Sequence, residues 1–151
     1  MTTKQVLLAH LEKIGVRRPS DPSAAIYRDS WFRIAIGSQS IPIFPLWGLR
    51  RSLTLHDIHH LVTGYPTTIR GELEIAGWEL GSGGCARHLY MWIDRFLTFA
   101  FGLLVAPIAT SQALRRGAHH RNLYRLNADR VLSMEFDEVL RFVGPPKPSG
   151  R

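Results

Sequence analysis

The chain has 151 residues, of which 45% are hydrophobic and 21% are charged, a composition that predicts one globular domain and excludes a largely disordered protein. Its formal net charge of +7 suits an acidic membrane surface or is simply a solvated basic surface, and because no recognisable nucleic-acid-binding motif is present we expect no nucleic-acid partner. Cys85 is the single cysteine, which excludes an intrachain disulfide and fits a reducing compartment. The first residues, MTTKQVLLAHLEK, match neither a signal peptide nor a transit peptide, so we expect a cytoplasmic protein that can attach peripherally to the inner membrane face.

Two helices are predicted in the first quarter of the chain. The first carries apolar residues at helical spacing, namely Val6, Leu7, Leu11 and Ile14. Asp21 before Pro22 is a typical helix start and favours a second helix to about Ile36. The segment IPIFPLWG that follows is apolar but rich in proline, and we expect it to cross the core irregularly and lead into a third helix from about Ser52.

The third predicted helix contains the most informative pattern, HDIHH, and Glu72 follows it after eleven residues. His56 and His60 are four residues apart and therefore share one face of a helix, and Asp57 borders that face. The turn residues Gly64-Tyr65-Pro66-Thr67 can fold a fourth helix back, so that Glu72 approaches the histidines. Two imidazoles with one or two carboxylates form a common coordination set for zinc, and also for iron or manganese, when one position stays open. The sequence thus predicts a divalent-metal site, with zinc expected first.

Simpler interpretations of these residues remain open. Asp57 can stabilise the start of the helix, because Thr54 three residues earlier is a candidate N-cap and an acidic side chain in the first turn interacts favourably with the helix dipole. His56 and His60 can be buried, hydrogen-bonded imidazoles, and Glu72 an exposed carboxylate in a first helical turn. The joint spacing favours the metal site over these separate explanations. Glu79 is either a partner that orients a ligand or an exposed residue.

A long helix is predicted from Arg87 to about Arg116, and its part from Phe96 to Ala109 has no charged residue. Fourteen apolar residues are too few to span a bilayer, which needs about 20. Pro107 should kink or end the helix. The segment is either a central core helix or a helix that lines a groove for a long apolar ligand or enters a membrane interface.

A last helix is predicted over about Val131 to Val143, followed by a proline-rich tail over 144–151 that we expect to be disordered. Every segment with periodic apolar residues has the spacing of a helix, and no segment shows the alternation of apolar and polar residues that indicates a strand. We therefore predict an all-α fold with a single domain over 1–143, in which a helical bundle packs around one long apolar helix.

The motif and its surroundings resemble a known family. HDxxH, eleven residues and then E is the hallmark of the fourth Coq protein family of ubiquinone (coenzyme Q) biosynthesis, and the spacer LVTGYPTTIRG is similar to that of the family. Arg115-Arg116-Gly117, Leu123-Tyr124 and EFDEVL at 135–140 extend the similarity. The resemblance covers roughly positions 45 to 145.

This resemblance implies a metal-dependent carboxy-lyase of quinone biosynthesis. Its substrate would be a prenylated hydroxybenzoate, from which the ring carboxylate at carbon one is removed, with hydroxylation there. The implied catalytic and metal-binding residues are His56, Asp57, His60 and Glu72. The substrate-binding candidates are Arg70, for an anionic group unless it is simply a surface residue, and Phe96, Leu103 and Leu104 for the prenyl tail.

Two alternatives to this enzyme remain. The chain can be a non-catalytic, lipid-binding scaffold that presents a prenylated intermediate to other quinone-biosynthesis proteins, with a purely structural metal. It can also be a tailoring enzyme for another aromatic carboxylate. A homo-oligomer is compatible with each of these functions.

Overall fold

The computed structural model describes residues 1–14, 31–36, 39–45 and 49–144, and these residues are mostly helical, as predicted. Seven helices and two strands occur in these ranges: α1 (Thr3–Lys13), β1 (Trp31–Ile36), β2 (Gln39–Pro45), α2 (Leu49–Thr63), α3 (Ile69–Gly81), α4 (Leu89–Val105), α5 (Pro107–Gly117), α6 (Ala128–Ser133) and α7 (Phe136–Val143).

The strands β1 and β2 pair as an antiparallel hairpin, with Trp31 opposite Pro45 and Ile36 opposite Gln39. The predicted helix up to Ile36 is therefore wrong over 31–36, as is the predicted irregular segment over 41–45; the remaining parts of both, 21–30 and 46–48, lie outside the described residues. Aromatic and β-branched side chains explain the difference, because they favour strands.

The helices α3, α4 and α5 pack against one another, and α3 approaches α5 most closely. A Cβ atom at Gly81 would lie 2.1 Å from the carbonyl oxygen of Leu114, and one at Gly117 would lie 2.3 Å from that of Trp78. Any side chain at these two positions would push the helices apart. The close crossing holds α3, and with it the candidate site, against α5.

The helix α1 packs on α2, α6 and α7 and contributes Leu7 and Leu11 to the core. Its start is tied to the end of the domain, since the backbone N–H of Thr3 donates to the carbonyl of Met134. This contact explains why the predicted last helix is two helices, α6 and α7. Met134 and Glu135 adopt extended backbone angles and Glu135 bridges to Thr2, which interrupts the helix. The predicted tail lies outside the described residues from position 145.

The helix α4 does not form the centre of the bundle, so the prediction that the other helices pack around it is not met. Only Met91, Arg95 and Gly102 of α4 are buried, whereas Phe96 and Leu104 are 62% and 82% exposed. The central core lies instead among α1, α2, α3 and α6 and includes Leu55, Ile58, Trp78, Leu123 and Val131. The helix ends before Pro107, as predicted. Within the described ranges, no helix is long and apolar enough to cross a membrane.

Candidate metal centre

The site lies where α2 and α3 meet, and the turn between them is built to bring the helices together. Gly64 has a φ of 76°, a conformation that side chains disfavour, and the side chain of Thr68 caps α3 by accepting a hydrogen bond from the Gly71 N–H at 3.2 Å. Gly71 packs directly on the carbonyl of Pro66, because a Cβ atom there would lie 1.7 Å from the oxygen. Glu72, in the first turn of α3, is thereby brought to the histidines of α2.

His56, His60 and Glu72 bring three metal-ligating atoms within 4.8 Å of one another. The Nε2 atoms of the two histidines are 3.3 Å apart, and the two carboxylate oxygens of Glu72 lie 3.0 Å from His60 Nε2 and 3.4 Å from His56 Nε2. Both imidazoles are buried, while the Glu72 side chain is 35% exposed. The site therefore opens to solvent on the side of Glu72. A catalytic metal needs such an opening, because water or substrate must reach its free coordination position.

The partners of the outer ring nitrogens determine the tautomers. His60 Nδ1 lies 2.9 Å from the carbonyl oxygen of Tyr65, which can only accept, so Nδ1 carries the proton. His56 Nδ1 likewise donates to Glu79 Oε1 at 2.9 Å. In the neutral rings both Nε2 atoms then present lone pairs to each other and to Glu72. Three acceptors meeting without a donor need a cation or a proton between them, and this arrangement is the one found around protein-bound zinc.

Glu79 is the buried carboxylate behind the site. Its Oε1 accepts hydrogen bonds from His56, from His59 Nδ1 at 2.7 Å and from the Tyr124 hydroxyl at 2.7 Å. His59 is fixed in turn, because its Nε2 accepts the backbone N–H of Leu123 at 2.9 Å. Glu79 is thus positioned to hold the His56 ring at a fixed angle, as carboxylates behind metal-bound histidines do.

Arg95 completes the buried network. Its guanidinium pairs with Asp94, and its Nη1 lies 3.6 Å from Glu72 Oε2 and 3.7 Å from Glu79 Oε2. Glu79 Oε2 and Arg95 Nη1 are buried without a hydrogen bond of their own, so the pair interacts through charge alone. Three carboxylates against one guanidinium leave two negative charges, which one divalent cation balances.

The pKa shifts follow from this arrangement. Burial lowers the pKa of His56, but the charge of Glu79 and hydrogen bonds to Glu72 and Glu79 outweigh burial and raise it to about 10. Burial by itself raises the pKa of Glu79, yet the His56 charge and the hydrogen bonds from both histidines hold that pKa well below its usual range. Burial lowers the pKa of His59, in agreement with a neutral ring. Without metal, a proton on His56 occupies the place that the cation would take.

The other predicted site residues lie apart from this group. Asp57 is partly exposed and is not one of the three converging ligands; its predicted role as a ligand stays a prediction. Arg70 is exposed and lies 3.5 Å from Glu74, one helical turn along α3. Phe96, Leu103 and Leu104 lie on the exposed surface of α4.

The sequence interpretation named Glu79 as a partner but assigned no role to His59, Tyr124 or Arg95. The sequence held one signal for His59: it lies three residues after His56 in HDIHH, so the two side chains are neighbours on the helix. Two neighbouring rings can contact the same buried carboxylate, and His59 is then buried as well. Tyr124 and Arg95 come from distant segments, and only the tertiary packing reveals them.

No protein-family model, curated protein or solved structure matches this chain. What the structure supports by itself is a mostly helical protein with a buried His-His-Glu group that can hold a metal ion.

Proposed function

We propose that the protein is a divalent-metal-dependent enzyme with the ion held by His56, His60 and Glu72. The observation that carries this proposal is the convergence of His56 Nε2, His60 Nε2 and the Glu72 carboxylate, because neutral rings with their protons on Nδ1 direct three lone-pair donors for a metal at one point. The donor set fits zinc, and iron or manganese as alternatives, because imidazole and carboxylate suit all three. A purely structural zinc site usually has four protein ligands, so three ligands beside a solvent opening favour catalysis.

The substrate class that we propose is a prenylated hydroxybenzoate. The resemblance of the HDxxH and Glu72 motif to the fourth Coq family supports this substrate. A bound divalent cation would supply a positive charge that draws the substrate carboxylate to the site and stabilises charge that develops on the ring. Another aromatic carboxylate in a different pathway remains the alternative substrate.

The proposed reaction breaks the bond between ring carbon one and the carboxylate, and its carbon leaves as carbon dioxide. Hydroxylation at the same carbon needs an oxidant, which we propose to be dioxygen. A 4-hydroxybenzoate, one proton and one dioxygen give a quinone, carbon dioxide and one water, with one oxygen atom entering the ring and the other leaving in the water. The chain itself contributes position and charge. Glu79 orients His56, the Tyr65 carbonyl orients His60, and Arg95 limits the negative charge around Glu72.

The test is release of labelled carbon dioxide from a prenylated 4-hydroxybenzoate that carries the label in its carboxyl group, with zinc-, iron- or manganese-loaded protein in air. We expect release by wild type, a loss of at least a hundredfold in Glu72→Gln, and little change in Glu74→Gln, which removes a carboxylate from the same helix outside the three converging ligands. Equal release by wild type and Glu72→Gln would contradict the enzyme.

The exposed apolar surface of α4 favours a second candidate, a lipid-binding scaffold for other quinone-biosynthesis proteins. Leu97 and Leu104 are 66% and 82% exposed, and Ile108 at the start of α5 is 74% exposed. Exposed apolar surfaces of this extent mark interaction sites. With the basic net charge, they support peripheral contact with an acidic membrane surface, or with a prenyl chain along Phe96, Leu103 and Leu104.

The two candidates give different results with the same variants. A scaffold would lose vesicle binding in Leu97→Ser combined with Leu104→Ser and keep supporting the pathway in Glu72→Gln. An enzyme would lose pathway function in Glu72→Gln while vesicle binding stays as in wild type. Co-sedimentation with vesicles that contain an anionic lipid, set beside quinone production in cells, separates them.

A further inference from the structure

A cavity of about 600 Å³ is lined in part by Tyr124, whose hydroxyl donates a hydrogen bond to Glu79 behind the metal centre. Residues from α2, from the segment between α3 and α4 and from the segment before α6 line it, among them Arg51, Leu55, Arg87, Tyr124, Arg125 and Asn127. This volume is within the range of about 300 to 1,000 Å³ that is typical of small-molecule sites.

The charge of this cavity is opposite to that of the metal centre. Arg51, Arg87 and Arg125 line it and all three are exposed, and within the described part of the chain no Asp or Glu lines it and no ion pair engages these arginines. Three arginines that line one concave surface without a carboxylate give it a positive charge, which an anion would neutralise. The cavity is therefore suited to a negatively charged ligand.

The inner wall of the cavity is apolar and rigid. Leu55 and Tyr124 are 1% and 3% exposed and belong to the core cluster. The Tyr124 hydroxyl is already engaged with Glu79, which fixes the ring. A ligand in this place would have a charged end towards the arginines and a compact apolar or aromatic body against Ala86 and Leu126, the half-buried apolar residues of the lining.

We propose that this cavity binds a compact phosphate monoester or diphosphate attached to an apolar or aromatic body. One carboxylate satisfies one guanidinium in a bidentate pair, whereas a phosphate offers three oxygens and close to two negative charges, which matches several arginines at once. The inference stands apart from the metal-dependent function, since it uses none of the metal ligands. Tyr124 connects the two sites, because it lines the cavity and hydrogen-bonds to the carboxylate behind His56.

Phenyl phosphate is the probe, titrated into the metal-free full chain by calorimetry at fixed ionic strength. We expect a dissociation constant below 1 mM, in line with the about −4 kcal/mol of a weak small-ligand site. Binding should weaken at least tenfold in Arg87→Ala and in Arg125→Ala. Arg121→Ala is the matched control, because Arg121 is exposed, carries the same charge and does not line the cavity, so its binding should stay within about twofold of wild type.

Three outcomes would overturn the proposal. One is no binding of phenyl phosphate by well-folded wild type at several millimolar; another is equal weakening by Arg121→Ala, which would indicate general surface charge. The third is benzoate binding as tightly as phenyl phosphate, which would remove the preference for phosphate. His60→Ala should bind phenyl phosphate as wild type does, so failure of the metal centre and failure of this cavity are distinguishable.

Discussion

The Nε2 atoms of His56 and His60 face each other at 3.3 Å, although the partners of both rings place the proton on Nδ1. Two lone pairs at this distance repel each other unless a positive charge lies between them. Glu72 adds a third acceptor rather than a donor. The fold of α2 and α3 thus maintains an arrangement that only a bound cation or a proton stabilises, and the predictions below follow from it.

The first prediction concerns Glu79. Glu79→Gln keeps the shape of the side chain but removes the charge that holds His56, and we expect the affinity for zinc to fall by about 10- to 100-fold. The protein should also become less stable, because Arg95 loses a buried counter-charge. Competition with a chromophoric chelator measures the affinity, and Glu74→Gln on the same helix is the control. An unchanged affinity in Glu79→Gln would show that His56 needs no carboxylate behind it.

A second prediction separates Asp57 from the ligands. Because Asp57 lies outside the converging group, Asp57→Ala should retain one metal ion per chain, whereas His60→Ala should lose it. Elemental analysis of both purified variants, each checked for helical content by circular dichroism, gives the answer. Loss of metal from Asp57→Ala would contradict this prediction and show that Asp57 is a ligand.

A third prediction concerns the turn that positions Glu72. Gly71→Ala places a methyl group against the Pro66 carbonyl, and the helix start must move to relieve the clash. We expect a loss of about 1 to 3 kcal/mol in the free energy of unfolding, the usual cost of overpacking, together with weaker metal binding. Thr67→Ala, an exposed change in the same turn, should cost less than about 0.5 kcal/mol. Similar denaturation midpoints for the two variants would contradict this account of the turn.

Cys85 provides a fourth prediction, on pH. Burial and the nearby charge of Glu79 raise the pKa of this thiol to about 12. Since the thiolate is the reactive form, native protein should resist maleimide at pH 7 to 8, and labelling should accelerate by about tenfold per pH unit towards pH 12 as long as the fold persists. The same thiol should react at once in denaturant. Rapid labelling of native protein at pH 7 would show that Cys85 is neither buried nor raised in pKa.

The helices with clear boundaries could be predicted from the sequence. The presence of α1, the turn at Gly64–Thr67 and the stop before Pro107 depend on local residue types, and local rules were sufficient for them. The hairpin was missed because Trp31 and Ile34 fit a helix face as well as a strand, and pairing with Gln39–Pro45 decides between them. The interruption between α6 and α7 was missed because it arises from contact with α1, more than 100 residues away in the chain.

The candidate site was predictable to a similar degree. The helix period and one turn were sufficient to predict that His56, His60 and Glu72 lie close together. The same periodicity places Asp57 at the edge of that face, and its role as a ligand stays a prediction. Tyr124 and Arg95 were beyond reach, because their contacts with Glu79 depend on how α4 and the segment after α5 pack on α3. The sequence left open whether the apolar part of α4 is buried in the core or faces a groove or a membrane interface, because apolar composition does not state what covers a helix; the structure shows it exposed.

The metal content of the purified protein tests the central claim most directly. Elemental mass spectrometry of wild type, His56→Ala and Glu72→Ala should find close to one zinc, iron or manganese ion per chain in wild type and almost none in either variant, with Arg70→Ala like wild type. A well-folded wild type that contains no metal and takes up none from added zinc, iron or manganese would contradict the account.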